Sequence, residues 1–321
     1  MKVLLIILLV AVVCAAGGAI CYATLFKKMK EVIKPYGQMV PVYDGQMHLY
    51  HRGSGRDTIV LLAGMGIALP CADFGPLMRA LSKKYTVVCV EYFGAGFSTL
   101  TKRERTCDHY TEEIRTALRE AGFKTPYIFM PHSMSGVYCE YFASKYPDEV
   151  KAIISLDSTS TAYIGMDMPG SLKSLLNAAK IQQAIGLNSI WAVIGTNRKK
   201  LASYGYTRKE INDLIIYAGF AINDNSLEQI ARSTEYIKET NQLVYPDTVP
   251  YLKFISGQTY ETKNFQIKQS PADYQKEHLA RVKAESNYEV LEGNHFIYLN
   301  NENRILELTE AFLRKGIRQI E

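Results

Sequence analysis

The chain has 321 residues, of which 47% are hydrophobic and 21% charged, and its formal net charge is +5. This length suits one large domain or two small ones, and the composition is that of a globular protein rather than a disordered or fibrous one. Because the basic residues are dispersed, with no arginine-rich stripe, we expect no nucleic-acid partner.

The first predicted element is a membrane anchor. Val3 to Phe26 contains no charged residue, and as a helix this segment would extend about 36 Å, enough to cross a hydrocarbon core of about 30 Å. A cleaved signal peptide is the alternative, but Val13-Cys14-Ala15 is a weak cleavage site. We therefore predict a retained single-pass anchor over residues 1–30, with the membrane as a partner.

The lysines around this segment bear on its orientation. Lys2 precedes it, whereas four lysines follow it, and the positive-inside rule then leans weakly toward a cytoplasmic location for the rest of the chain. The side of the membrane stays open at this point. The four lysines that follow the segment are Lys27, Lys28, Lys30 and Lys34.

After residue 39, apolar strand-like runs alternate with helical patterns. Asp44-Gly45 is a hairpin-turn signal between the first two runs, and nearly continuous apolar runs such as Thr58–Ala63 are typical of parallel strands buried on both faces. We predict a mostly parallel eight-stranded sheet with helices on both faces, opened by an antiparallel hairpin. The predicted strands are Val40–Tyr43, Met47–His51, Thr58–Ala63, Thr86–Val90, Tyr127–Met130, Lys151–Leu156, Tyr251–Ser256 and Tyr288–Leu291. The helices between them are Phe74–Lys83, His109–Ala121, Val137–Lys145, Ala272–Ala284 and Glu302–Arg314.

The interval between Leu156 and Tyr251 breaks this alternation, because it has helical periodicity and few strand signals. Amphipathic helices must bury their apolar faces, and the open end of the sheet is available. We predict a helical cap over about residues 160–247, inserted after the sixth strand of an α/β domain over residues 39–321; a lateral extension is the alternative. Its predicted helices are Leu172–Ile185, Ser189–Gly195, Arg208–Phe220 and Ser226–Glu239.

The segment from Pro131 to Gly136 lies between a predicted strand and a predicted helix. A strand, a sharp turn centred on serine and a helix lift a hydroxyl clear of the sheet, where it can attack a carbonyl group. Pro131 and Ser135 stand where the G-x-S-x-G pattern has glycines. Pro131 lacks an N–H, so we predict that the strand ends there without a ladder bond. An ordinary serine-rich loop is the alternative.

These residues, together with three other segments, carry a resemblance to the α/β-hydrolase superfamily that covers about Met39 to Glu321. The resemblance implies the α/β-hydrolase fold, with Ser133 as nucleophile and His295, after the last strand, as general base. It also implies an oxyanion hole made by the backbone N–H groups of Met65 and Met134. The other segments are Leu62 to Gly66, Glu91 to Ser98, and Gly293 to Phe296.

The orienting acid has two candidates. In the family it commonly follows the penultimate strand, where this chain has Tyr260 and then Glu261. Some members place it after the preceding core strand, where this chain has Asp157. We favour Asp157 and keep Glu261 as the alternative; capping of a loop or helix is the structural interpretation of Asp157.

The predicted activity is that of a serine hydrolase acting on an ester, thioester or amide through an acyl-enzyme, with a small, hydrophobic or lipid-like substrate. A carboxylic ester is the favoured class. Epoxide hydrolases and dehalogenases fit less well, because they have an aspartate at the position of Ser133. The competing hypothesis is a non-catalytic protein that binds a small ligand on the same fold. No metal or cofactor is expected, because the chain has no HExxH or paired CxxC, and Gly94-Ala95-Gly96 lacks the third glycine of a nucleotide loop.

Overall fold

The computed structural model describes residues 2–162, 171–263 and 269–318. Residue 1 of the predicted anchor, residues 163–170 of the predicted cap, and residues 264–268 and 319–321 of the predicted α/β domain lie outside the described residues. The domain boundaries proposed from the sequence stay predictions.

Eight strands form one sheet in the order β1-β2-β4-β3-β5-β6-β7-β8. β1 pairs with β2 and β2 pairs with β4 in antiparallel fashion, and all other neighbours are parallel. This confirms the predicted fold class. The strands are β1 (Gln38–Val42), β2 (Gly45–Arg52), β3 (Thr58–Leu62), β4 (Thr86–Val90), β5 (Tyr127–Pro131), β6 (Val150–Leu156), β7 (Tyr251–Ser256) and β8 (Tyr288–Leu291).

The central strands are apolar along their whole length because both faces of the sheet are covered. In β3, Ile59 and Leu61 pack into the hydrophobic cluster on one face, while Val60 and Leu62 pack into the cluster on the other. All four side chains are fully buried, and each such burial stabilises the fold by about 1.5–3 kcal/mol. The unbroken apolar run is therefore typical of a parallel strand buried on both faces, whereas a strand with one face in water would alternate apolar and polar residues.

The hairpin turn between β1 and β2 lies one residue earlier than the Asp44-Gly45 prediction. Val42 pairs with Gly45, so the two loop residues are Tyr43 and Asp44. Tyr43 takes the left-handed φ of +49°, and the carboxylate of Asp44 accepts hydrogen bonds from the Thr101 hydroxyl and the Lys102 N–H. These bonds hold the turn in a register that the Asp-Gly pair alone does not specify.

Helices cover both faces of the sheet and fill the interval after β6. The helices are α1 (Lys2–Cys21), α2 (Lys27–Glu31), α3 (Pro70–Asp73), α4 (Gly75–Leu81), α5 (Cys107–Glu120), α6 (Ser135–Lys145), α7 (Leu172–Ala184), α8 (Leu187–Gly195), α9 (Arg198–Ser203), α10 (Arg208–Ala218), α11 (Asp224–Ala231), α12 (Ser233–Asn241), α13 (Gly257–Glu261), α14 (Pro271–Arg281) and α15 (Glu302–Arg318).

The N-terminal segment is a continuous helix, because a π-helical stretch, Tyr22–Phe26, joins α1 to α2. Over Lys2–Glu31 it is long and apolar enough to cross a membrane, and its most apolar window is entirely unburied. A signal sequence near an N-terminus has the same properties.

Helices α7 to α12 form the insertion between β6 and β7, which confirms its predicted place after the sixth strand. α9 was not predicted, and the predicted helix Ser226–Glu239 is wrong in being single: it is broken into α11 and α12 at Arg232. The Ser233 hydroxyl donates a hydrogen bond of 2.9 Å to the Ile230 carbonyl oxygen. Such local side-chain bonds compete with the helical backbone pattern and end the first helix.

Candidate active site

A strained turn places Ser133 between β5 and α6. Its φ of +54° lies in the left-handed region, which costs a non-glycine residue about 1–2 kcal/mol. Backbone bonds on both sides hold the turn in place: the His132 N–H donates to Leu62 O at 2.9 Å, and the Ser133 N–H donates to Leu156 O at 3.2 Å. The hydroxyl therefore stands at the carboxyl ends of three neighbouring strands.

β5 ends at Pro131, as predicted, one residue beyond the predicted apolar run Tyr127–Met130. Pro131 is the last residue of the strand and pairs with Leu62, and His132 forms a further parallel bridge with Leu156. Proline is accommodated because the ladder bond at this point is donated by the next residue, His132. The departure from glycine therefore leaves the register of the turn intact.

Two glycines make room for the serine turn. A Cβ atom on Gly64 would lie 2.7 Å from Ser133 Cβ, and one on Gly136 would lie 2.5 Å from Ser158 Cβ. Real Cβ contacts are not this short, so these positions admit no side chain unless the backbone shifts. Gly64 brings the loop after β3 against the serine, and Gly136 brings α6 against the segment that follows β6.

Ser135, the other serine of the turn, is buried and tied to the core. Its Oγ donates to the Ala63 carbonyl oxygen at 2.5 Å and lies 2.8 Å from the Tyr92 hydroxyl. Both hydrogen-bonding roles of this hydroxyl are thus occupied within the protein. Ser133, by contrast, is partly exposed.

His295 follows β8 and reaches back to the serine. Its Nε2 lies 2.9 Å from Ser133 Oγ, and its Nδ1 lies 2.7 Å from Asp157 Oδ2. The imidazole side chain is 44% exposed, whereas the Asp157 side chain is almost fully buried. The structure therefore brings the three predicted side chains into one hydrogen-bonded chain.

Asp157 is held as an ionised acceptor at the end of β6. Oδ1 accepts from the Ser256 N–H at 2.9 Å and Oδ2 accepts from the Thr259 hydroxyl at 2.7 Å. Burial by itself raises the pKa of Asp157, but the hydrogen bonds from His295, Ser256 and Thr259 outweigh it and hold the pKa below its usual value. The carboxylate thus stays charged at neutral pH.

Glu261 lies elsewhere. It is the last residue of α13, its side chain is exposed, and no hydrogen bond joins it to His295 among the residues that the structure describes. Of the two candidate acids, the geometry brings Asp157 to the imidazole and leaves Glu261 in solvent.

His132 also contacts His295, and the sequence analysis assigned it no role. Its Nε2 lies 2.9 Å from the His295 carbonyl oxygen, which can only accept, so the proton is on Nε2. Burial, followed by the nearby imidazole of His295, lowers the pKa of His132 to about 3, which keeps it neutral. The ring packs 4.7 Å from that of His295 and 5.2 Å from that of Tyr298, measured between centroids. His132 thus positions the loop that carries His295. In the sequence, the only indication of this role is that His132 directly precedes Ser133.

The backbone N–H groups of Met65 and Met134 lie on the two loops that meet at Ser133. Neither donates a hydrogen bond to any residue within the described ranges. Met134 directly follows Ser133, and Met65 follows Gly64, whose missing side chain allows the close approach described above. Two unused donors beside a serine hydroxyl are what stabilisation of an oxyanion requires.

The loop at Gly64 gives a prediction. We expect Gly64→Ala to lower kcat by about 10²-fold or more, because its methyl group would displace either Ser133 or the Met65 N–H, and one oxyanion donor is worth about 10²–10³. Initial rates on a chromogenic ester and the thermal midpoint would be measured together. Gly257→Ala is the matched control, since its Cβ would meet nothing closer than 3.6 Å. Equal rates for the two variants would contradict the prediction.

Cap residues lie beside this loop. A small cavity of about 20 Å³ is lined by Gly64 and Gly66 from the loop, by Tyr92 from the end of β4, and by Ser226 and Gln229 from α11. Gln229 also donates to the Tyr138 hydroxyl at 3.2 Å. The insertion therefore packs over the carboxyl end of the sheet rather than beside it.

One buried group resembles a metal site in composition. Ligand atoms of His48, Cys71 and Glu91 lie within 4.8 Å of one another. However, His48 Nδ1 lies 2.9 Å from Glu91 Oε2, and its Nε2 accepts the Gly37 N–H. Glu91 also accepts the N–H groups of Cys71 and Phe97. Because protein groups already occupy the ring nitrogens of His48 and the carboxylate oxygens of Glu91, these side chains serve to hold the loop after β4.

Comparison with known proteins places this chain in a family. The sequence profile of the alpha/beta hydrolase fold matches residues 58–186. A protein of Bacillus subtilis (strain 168), "Uncharacterized protein YbdG", is 31% identical over 293 residues, which cover 90% of this chain and 89% of that protein. The chain belongs to the α/β-hydrolase family.

Two other relatives illustrate the family's range. A 2-(acetamidomethylene)succinate hydrolase of Mesorhizobium japonicum is 28% identical over 132 residues, which cover 41% of this chain and 45% of that protein. The crystal structure of epoxide hydrolase VrEH1 from Vigna radiata superposes with a TM-score of 0.64 at 17% identity, over 89% of this chain and 99% of that one. A likeness at this identity concerns the fold, and it carries no substrate to this chain.

Proposed function

We propose that this protein is a serine hydrolase that cleaves an ester, thioester or amide through an acyl-enzyme. The observation that carries the proposal is the unbroken hydrogen-bonded chain from Ser133 through His295 to Asp157. A serine hydroxyl is a weak nucleophile unless a base removes its proton as the new bond forms, and this arrangement provides that base.

In the proposed reaction, Ser133 Oγ bonds to the substrate carbonyl carbon while His295 Nε2 takes the hydroxyl proton. The carbonyl electrons move onto oxygen, which the N–H groups of Met65 and Met134 stabilise. The same proton then passes to the leaving oxygen, sulfur or nitrogen as its bond to carbon breaks. Water, deprotonated by His295, attacks the acyl-enzyme, and release of the acid restores Ser133.

Asp157 has the role of orienting the imidazole. Its ionised carboxylate accepts a hydrogen bond from the Nδ1–H group, so Nε2 keeps the lone pair that faces Ser133, and the charge stabilises the imidazolium that forms. The Ser256 and Thr259 bonds keep this carboxylate aligned. We assign the orienting role to Asp157 on these contacts.

A carboxylic ester with a hydrophobic acyl group is the substrate class we favour. We also propose that the helix Lys2–Glu31 is retained as a membrane anchor, which would hold the site close to lipid-like substrates. No cofactor or metal has a role in this scheme.

Active-site labelling tests the proposal. The full chain in mild detergent is expected to gain one adduct from an alkyl fluorophosphonate, which peptide mapping by mass spectrometry would locate on Ser133. Heat-denatured protein is the control and should stay unlabelled, because the activating imidazole is then lost. Absence of an adduct together with absence of p-nitrophenyl ester hydrolysis would favour the ligand-binding alternative.

A further inference from the structure

An apolar surface lies on the cap beside the N-terminal helix. Helix α8 contains no charged residue, and its Ser189 is buried against Gly219. Four large apolar side chains of α8 and two of α7 are exposed. This cap apolar face consists of Leu175, Ile181, Ile190, Trp191, Val193 and Ile194.

The N-terminal helix contacts the cap between these two helices. A Cβ on Gly18 would lie 2.2 Å from the Ile185 carbonyl oxygen, so the helix backbone touches the α7–α8 turn directly. Farther along the helix, Tyr22 stacks on Phe220 with centroids 5.0 Å apart. Because α8 begins at Leu187, Trp191 lies only about 6 Å along its axis, at about 1.5 Å per residue. The cap apolar face therefore flanks the point where the helix leaves the folded body.

The helix is too short to span a bilayer unless this contact point enters it. Residues 2–17 precede the contact and extend about 24 Å, whereas a hydrocarbon core is about 30 Å thick and needs roughly 20 residues. The missing length comes from residues beyond Gly18, which already pack on the cap. A spanning helix therefore draws the α7–α8 turn down to the hydrocarbon boundary.

Charge near the face matches a lipid surface. Residues 171–200 contain no aspartate or glutamate, and α8 is followed by Arg198, Lys199 and Lys200, all exposed. A helix with an apolar face, a tryptophan and adjacent basic residues is the pattern of an element that lies in the membrane interface. Basic residues at this level attract anionic headgroups.

We propose that the cap apolar face is a second membrane-contacting surface, which inserts into the lipid interface beside the N-terminal helix and turns the cap toward the bilayer. The proposal rests on the proposed anchor and goes beyond it, because an anchor on its own leaves the cap free in water. Insertion of the cap apolar face would turn the cap, rather than the opposite side of the domain, toward a hydrophobic substrate dissolved in the membrane.

Trp191 is the only tryptophan of the chain, so its fluorescence reports the position of this face. The full chain would be reconstituted in vesicles of phosphatidylcholine and phosphatidylglycerol, with lipids brominated either near the headgroup end or near the methyl end of the acyl chain. Because interfacial helices bury their apolar face by about 5–10 Å, we expect quenching by the shallow bromines to exceed that by the deep bromines by about twofold.

Matched variants test the surface itself. Ile194→Glu is expected to remove most of the bromine quenching, whereas Val244→Glu is expected to keep it. Val244 is also apolar and β-branched, is more exposed, at 84%, and lies outside this face. Vesicle flotation measures the anchor, and fluorophosphonate labelling measures the hydrolase site. The proposal is overturned if the chain floats with vesicles and is labelled by the fluorophosphonate, but Trp191 is quenched by aqueous iodide and not by brominated lipid. The proposed anchor and the proposed hydrolase activity would then still stand. A chain that does not float overturns the anchor and this surface together.

Discussion

Ser133→Ala is expected to lower kcat for a p-nitrophenyl ester by about 10⁴- to 10⁶-fold, because the acyl-enzyme route is lost and only binding and oxyanion stabilisation remain. KM should change little, since a hydroxyl directed at the imidazole contributes little ground-state binding. Stopped or continuous assays at matched protein concentration, with circular dichroism to verify folding, provide the measurement.

Two variants sharpen this test. Ser203→Ala is the control: this hydroxyl is exposed, and within the described part of the chain its hydrogen bond goes to the Lys200 carbonyl oxygen of its own helix, so activity should stay within twofold. Ser133→Gly should be as inactive as the alanine variant but about 1 kcal/mol more stable than it, because glycine adopts the left-handed φ of +54° without strain. An alanine variant that keeps a tenth of the activity would show that Ser133 is not the nucleophile.

Asp157→Asn is expected to lower kcat by about 10³- to 10⁴-fold. An asparagine offers one oxygen, whereas the native carboxylate accepts from His295 Nδ1 on one oxygen and from the Ser256 N–H on the other. The amide NH₂ must then face one of these donors. Either the hydrogen bond from Ser256 is lost or the imidazole takes the other tautomer. The measurement is again kcat, with the thermal midpoint recorded for each variant.

Glu261→Gln is the matched control for the acid, and we expect its activity to stay within twofold of the native value because its side chain faces solvent. The reverse result, with a large loss for Glu261→Gln and a small one for Asp157→Asn, would reassign the orienting residue. Native-level activity in both variants would show that neither carboxylate orients the imidazole.

The strands were predictable because burial on both faces of a parallel sheet leaves nearly unbroken apolar runs, as in β3 and β4. Ends were less predictable where a tertiary contact sets them. β5 includes Pro131, one residue more than the predicted apolar run, and His132 supplies the ladder bond there. The hairpin turn takes Tyr43 and Asp44 because Thr101 and Lys102 bind the carboxylate. Neither contact is local in the sequence.

Short helices were the hardest to predict. α9 has only six residues and α13 only five, fewer than the two turns over which an amphipathic pattern becomes visible. The break between α11 and α12 has no proline or glycine to mark it, and the Ser233 hydroxyl bonds to the Ile230 carbonyl oxygen at this point.

The sequence by itself determined a mostly parallel α/β sheet and a serine turn at Ser133, because strand periodicity and a serine between a strand and a helix are local patterns. The resemblance to the α/β-hydrolase superfamily added the expected place of His295. The tertiary structure decided which carboxylate meets the imidazole, since β6 lies next to β7, and β7 next to β8, and this arrangement brings Asp157 within reach while α13 carries Glu261 into solvent. It also decided that His132 holds the His295 loop and that the apolar side chains of α7 and α8 face outward beside the N-terminal helix. These outcomes depend on the order of strands and the docking of helices, which no run of neighbouring residues encodes.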